Sequence, residues 1–128
     1  MAIFGAPLSY DDDAFRAVSC ALKMRSTMAE INQNLGGRNA RLPVGIGIAT
    51  GEVMAGMFGS PIKREYTVMG TAVNLAARLE RMANGGQILI CDETFRLAGG
   101  AFRTEQIDRV NLKGIEGEKS VFDVMGTL

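Results

Sequence analysis

An α+β fold, with helices laid over a mostly antiparallel sheet, is predicted by three features of this 128-residue chain. Apolar side chains recur at three- and four-residue steps in two separate segments, which is the period of a helix face. Other stretches alternate apolar and small or polar residues with period two, the period of a strand. The periods follow one another as strand, helix, two strands, helix, strand, a short helix and two closing strands, an order that layers helices on a sheet.

Met1 to Phe4 is expected as a short apolar strand, closed by Gly5-Ala6-Pro7. Ser9 to Asp13 marks a helix start, with Ser9 a candidate cap and Asp11, Asp12 and Asp13 near the positive end of the helix dipole. Ala14, Val18, Ala21, Met24, Met28, Ile31 and Leu35 then form one apolar stripe, and Gly36-Gly37 ends the helix. In Val44-Gly45-Ile46-Gly47-Ile48-Ala49-Thr50, branched and tiny side chains alternate, so one face of this strand is greasy and the other nearly bare. Gly51-Glu52 is expected to turn the chain into a second strand, Val53 to Phe58, as a hairpin. Glycines weaken strands, so Gly45, Gly47 and Gly56 point to close approach by another backbone, a helix or a ligand, close helix packing being the plainest reading.

Gly59-Ser60-Pro61 opens a polar loop through Lys63-Arg64-Glu65, and Tyr66 to Gly70 is a short extended piece leading into a helix. Ala72, Leu75, Ala76, Leu79 and Ala83 are the apolar face of that helix, which ends at Asn84-Gly85-Gly86. Gln87 to Cys91 reads as a strand and Asp92 to Ala98 as a short helix capped by Asp92. Phe102 to Lys113 and Ser120 to Met125 are expected to pair, joined through Gly114-Ile115-Glu116-Gly117.

Composition narrows the chemistry. A hydrophobic content of 47% with 22% charged residues supports a folded core. Fourteen basic and fourteen acidic residues cancel, so no whole-chain field favours nucleic acid or an anionic membrane. No histidine is present, which excludes a Ser-His-Asp triad, a Cys-His pair or a His-ligated zinc site built from this chain alone. Cys20 and Cys91 lie far apart in apolar surroundings and read as buried thiols of a reducing, cytoplasmic compartment. No basic leader opens the chain and no apolar run is long enough to span a bilayer.

Few polar residues stand out. Asn74 and Arg78 are four apart and project from one side of their helix, away from Leu75 and Leu79. A guanidinium fork suits phosphate oxygens, and a neighbouring amide can position one reacting oxygen. An ordinary solvated pair has the same spacing. Lys113, at a strand end beside Gly114, is a second cation, although terminal lysines commonly just reach into water. Thr67 precedes the helix, where its hydroxyl could read a base edge or bond the local backbone. Asp11 to Asp13 do not make a metal cluster, because adjacent helical residues diverge around the axis and capping accounts for them.

The text VGIGIATGEVMAGMFGSPIKREYTVMGTAVNLAARLE, from Val44 to Glu80, closely resembles the catalytic domain of class III nucleotidyl cyclases, the adenylate and guanylate cyclases. The similarity continues through GGQILICDETF and VNLKGIEGEKSVFDV, and upstream through MAIFGAP, so that it spans nearly the whole chain. The resemblance implies a ferredoxin-like cyclase sandwich. It implies conversion of ATP to 3′,5′-cyclic AMP and pyrophosphate, with two Mg2+ or Mn2+ ions and a homodimer or second cyclase domain as partner. Asn74 and Arg78 match the family's transition-state pair, Lys113 the lysine that holds the terminal phosphates, and Thr67 the purine-reading position. Threonine there resembles a bacterial adenylate cyclase subgroup.

The departures are as informative. The family's two metal-binding aspartates fall on its first strand and in a Gly-Asp turn just before the strand matching Met1 to Phe4, and neither is present, nor is the family's upstream purine-reading lysine. The chain is therefore expected to be the C-terminal part of one cyclase domain, residues 1–128, lacking the first strand and leading helices. It is expected to be inactive alone and prone to self-association through a bared sheet edge. Gly70-Thr71-Ala72-Val73-Asn74 differs from the commoner Gly-Asp-Thr-Val-Asn, which implies an altered helix cap with Asn74 in register. The alternatives are a guanylate cyclase, or a non-catalytic cyclase-like module for nucleotide sensing or dimerisation.

Overall fold

The computed structural model describes residues 1–6, 8–34, 44–59, 62, 64–111 and 118–128. The elements are α1 (Asp13–Asn34), β1 (Ile46–Ile48), β2 (Met54–Gly59), β3 (Arg64–Met69), α2 (Thr71–Met82), β4 (Ile88–Cys91), α3 (Asp92–Ala98), β5 (Phe102–Asn111) and β6 (Glu118–Thr127). A four-stranded sheet runs in the order β1-β4-β6-β5, and β2 with β3 forms a separate two-stranded sheet. Only β1 with β4 is parallel, so the α+β architecture with a mostly antiparallel sheet stands.

Strand β4 explains the layering. All four of its residues are buried, and because successive side chains alternate, they feed opposite faces of the sheet. Ile88 and Ile90 pack with Ala14, Val18 and Ala21 of α1 and with Ala98, Phe102 and Val124. Leu89 and Cys91 pack with Leu75 and Leu79 of α2 and with Val121. The sheet therefore lies between α1 with α3 on one side and α2 on the other. Phe95 of α3 stacks on Phe122, with ring centroids 3.9 Å apart, and closes the α1 side.

Several expectations need correction. Met1 to Phe4 form no strand, since they pair with no described strand, and the Met1 side chain is exposed. β1 is shorter than Val44 to Thr50 and does not form a hairpin with β2. It pairs in parallel with β4, while β2 turns back on β3 over six residue pairs from Met54↔Met69 to Gly59↔Arg64. Residues 51–53 do not reverse on β1 but run past Gly70 and Ala72 at the start of α2, so the chain has left β1 before β2 begins. Lys63, Leu35, Gly36-Gly37 and the 114–117 connection lie outside the described residues.

α1 is rotated relative to its apolar stripe. Ala14, Val18 and Ala21 are buried as expected, but Met24 and Ile31 are exposed and Arg25 faces inward. The guanidinium donates from Nη1 to the carbonyl oxygens of Gly86 (3.2 Å) and Val124 (3.1 Å), and from Nη2 to that of Met125 (2.9 Å). Three carbonyl acceptors outweigh one methionine thioether. The same rotation leaves Cys20 exposed, contrary to expectation, whereas Cys91 is buried; neither cysteine is paired.

The helix caps also differ. The Asp13 carboxylate reaches back to accept from the Tyr10 amide (2.9 Å) and the Ser9 hydroxyl (3.2 Å), so Ser9 serves the cap only through Asp13. At α3 the cap is Cys91, not Asp92: its sulfur accepts from the Thr94 amide at 3.5 Å, and Asp92 instead takes the Glu93 amide at 2.8 Å. Among the described residues, no helix is long and apolar enough to cross a membrane.

The glycines of β1 and its extension set the spacing to α2. A Cβ at Gly47 would lie 2.4 Å from the Glu80 nitrogen and 2.5 Å from the Ala76 oxygen, and one at Gly45 would lie 2.9 Å from both Ala83 Cβ and the Ala83 oxygen. Helix packing is thus the reason for these two glycines, whereas Gly56 sits in the β2–β3 hairpin opposite Thr67. Gly47→Ala is expected to cost at least about 2 kcal/mol of stability, read from the urea midpoint, because main chain must move. Gly100→Ala, whose added methyl meets no atom within 4 Å, should stay within about 0.5 kcal/mol of the parent; equal losses for both would contradict the contact.

Candidate functional site

α2 forms because Ala72, Leu75 and Leu79 recur at helical spacing and bury one side of it. Its first residue follows Gly70, which adopts φ 154°, a conformation that side-chain-bearing residues rarely take. The Gly70 carbonyl accepts from the amides of Val73 (3.2 Å) and Asn74 (3.4 Å), and no side chain caps the helix. The cap is therefore the altered one expected from Gly70-Thr71-Ala72. The other end closes on main chain, with the Ala83 amide donating to the oxygens of Leu79 (3.0 Å) and Glu80 (3.2 Å).

Asn74 and Arg78 occupy the opposite side of this helix. Both are exposed, while Leu75 is buried and Leu79 fully so. One turn separates them, so amide and guanidinium project side by side from a rigid surface. Neither side chain makes a hydrogen bond or ion pair to another described residue. Such a surface presents hydrogen-bond donors and a fixed positive charge, which is what a polyphosphate ester requires.

Thr67 lies on β3, in register with Gly56 on β2 and three residues before Gly70. The hairpin and the helix are thus one continuous structural unit, with the candidate base-reading position on its strand and the candidate phosphate-facing pair on its helix. Lys113 lies outside the described residues. The hairpin also exposes Met54, Met57 and Met69, of which Met54 and Met69 are cross-strand partners. Sequence reading gave these methionines no role; Met54 and Met57 point to opposite faces, and both are exposed in a two-stranded sheet that no third described strand joins.

The described carboxylates do not form a site for divalent ions. No group of three His, Cys, Asp or Glu residues comes together among the described residues. Four of the acids are engaged. Asp13 caps α1, Asp92 takes the Glu93 amide, and Asp123 on β6 accepts from Gln87 Nε2 at 3.3 Å. Glu93 bonds Arg96, whose guanidinium holds that carboxyl below the usual carboxylate range.

Comparison with known proteins gives this surface its context. The family model described as the adenylate and guanylate cyclase catalytic domain matches residues 1–126. An adenylate cyclase of Mycobacterium tuberculosis (strain ATCC 25618 / H37Rv) is 32% identical over 114 residues, covering 89% of this chain and 25% of the relative. The guanylyl cyclase Cya2 superposes with a TM-score of 0.88 at 41% identity, over 97% of this chain and 64% of that one. The adenylyl cyclase CyaB from P. aeruginosa superposes with a TM-score of 0.87 at 32% identity, over 98% of this chain and 66% of that one. The chain thus spans a quarter of that curated relative and about two thirds of these solved catalytic domains. With its helix, sheet and hairpin arranged as in those structures, this chain belongs to the adenylate and guanylate cyclase catalytic domain family.

Proposed function

We propose that this chain works in an adenylate cyclase, where it positions ATP for attack of its own 3′-hydroxyl on the α-phosphorus. The new bond joins O3′ to phosphorus, the bond from that phosphorus to the bridging oxygen breaks, pyrophosphate leaves with the electron pair, and the hydroxyl proton is lost to water. The observation that carries the reading is the exposed Asn74–Arg78 face of α2, in a chain of the cyclase family. The Asn74 amide orients the ribose. Arg78 counters the charge that grows on the α-phosphate as the new bond forms, an effect realised chiefly in the transition state. Thr67 contacts the adenine edge and Lys113 the terminal phosphates, both by family likeness. Two unpaired cysteines suit the reducing cytoplasm where ATP is plentiful.

Cyclase catalytic domains generally depend on metal ions, and no three of the described carboxylates and cysteines come together here. Residues other than those described, in this protein or in a different cyclase domain paired with it, supply the ion-holding carboxylates. The exposed methionines of the β2–β3 hairpin offer that partner an apolar contact.

Two measurements check this division of labour. The purified 128 residues with ATP and Mg2+ or Mn2+ should form no cyclic AMP, and turnover by this chain alone would overturn the shared site. When the chain is paired with a cyclase domain that retains its carboxylates but lacks its own matching arginine, turnover should appear. Arg78→Ala should then lower it about 100-fold or more while ATP affinity changes less than about threefold. An equal loss in binding and turnover would make Arg78 a ground-state contact.

A second reading is guanylate cyclase, favoured by the 41% identity to Cya2. In the paired assay, kcat/KM for ATP should exceed that for GTP by at least about tenfold, since a hydrogen-bonding site discriminates base edges. A ratio in favour of GTP assigns the chain to guanylate chemistry. Nucleotide binding without turnover in any pairing leaves the sensing or dimerisation role.

A further inference from the structure

The segment that follows β1 runs along α2 and is held at the β4–α3 corner by a small polar cluster. A Cβ at Gly51 would lie 3.0 Å from Ala72 Cβ, and one at Gly70 would lie 3.1 Å from the Glu52 oxygen and 3.3 Å from Val53 Cα. Residues 51–53 therefore press on Gly70 and Ala72, the first turn of the helix that bears Asn74. Thr50, one residue before this contact, bonds to the corner between β4 and α3. Its hydroxyl and that of Thr94 are 2.7 Å apart, and its amide donates to the Cys91 sulfur at 3.5 Å. The Thr94 hydroxyl is also 3.3 Å from that sulfur, and the Thr94 amide donates to it at 3.5 Å. Thr94 and Cys91 are buried at the corner where β4 becomes α3. The corner is thus a rigid anchor, and Thr50 is the link from it to the segment on which α2 rests.

We infer that Thr50 is a positioning residue for the nucleotide face of α2, acting through the contacts of residues 51–53 with Gly70 and Ala72. The inference rests on the reading of Asn74 and Arg78 as nucleotide-facing groups. Nothing in the cluster touches that face directly, so its effect is on geometry. A hydroxyl pair fixes Thr50 along the strand axis and the sulfur fixes its amide. Without them the segment can slide along α2, and small displacements of reacting groups are costly.

Thr50→Val removes the hydroxyl and preserves the β-branched shape, and Thr50→Ser retains the hydroxyl. In the paired cyclase assay, Thr50→Val should lower kcat about five- to tenfold, the effect of about one hydrogen bond, with KM within about twofold, and Thr50→Ser should recover most of the loss. Amide hydrogen exchange over residues 71–75 should quicken by a similar factor in Thr50→Val while residues 88–90 keep their protection. Should Thr50→Val fail to fold, Thr94→Val removes the other hydroxyl and is read in the same way. Unchanged exchange over 71–75, or a serine variant as impaired as the valine one, overturns the inference. Arg78→Ala is run alongside. If that variant keeps full turnover, the nucleotide reading fails, and the exchange measurement still decides by itself whether Thr50 positions α2.

Discussion

The contact between β1 and the backbone of α2 is the constraint on which the rest of this fold depends. Gly45 lies against Ala83, Gly47 against Ala76, Leu79 and Glu80, and Gly51 against Ala72. Three missing side chains, spaced along one strand and its extension, let the helix lie on main chain for most of its length. Close approach at this distance requires glycine, and no rearrangement of neighbouring side chains relieves a methyl placed 2.4 Å from a backbone nitrogen. The seating of α2 descends from this one packing arrangement.

The site inherits that rigidity. Asn74 and Arg78 stand on a helix whose other side is locked by Leu75 and Leu79 in a core shared with β4 and β6. The backbone under the two side chains is thereby fixed, while the amide and guanidinium themselves are exposed and bond no other described residue. The hairpin is built differently. It forms no ladder with the four-stranded sheet and exposes three methionines, flexible side chains that tolerate varied partners. Rigid chemistry and adaptable contact are therefore carried by adjoining stretches of chain, with Gly70 between them.

Much of this was legible in the sequence because it depends on period. α2, β4 and α3 lie close to the residues expected for them, and the solvent side of α2 follows directly from Leu75 and Leu79. Glycines in a strand announced close approach, and a helix proved to be the neighbour. Partner choice was not legible, since nothing local distinguishes a β1–β2 hairpin from a parallel β1–β4 ladder. Met24 and Arg25 are one residue apart, and a three-to-four-residue stripe admits either; three carbonyl acceptors supplied by distant parts of the chain decide for Arg25. Cys91 was read as a plain core thiol because a sulfur acceptor at a helix start is recognisable only when Thr50 and Thr94 are brought to it. The candidate residues themselves came from family likeness; the structure adds their shared, exposed face for Asn74 and Arg78.

Arg25 carries a consequence of another kind. Its three acceptors are all backbone oxygens, at Gly86, Val124 and Met125. Although Gly86 is held to glycine by its own φ of 88°, the side chains of Val124 and Met125 are therefore immaterial to the bond. The arginine has no such freedom, and its loss has no local remedy, because a carbonyl cannot be mutated into a better partner. Suppressors of a damaged Arg25 would have to arise at a distance, by tightening the apolar seam between α1 and β4. One residue that resembles an ordinary helix-surface cation is in this respect more tightly bound to its identity than the chain it touches.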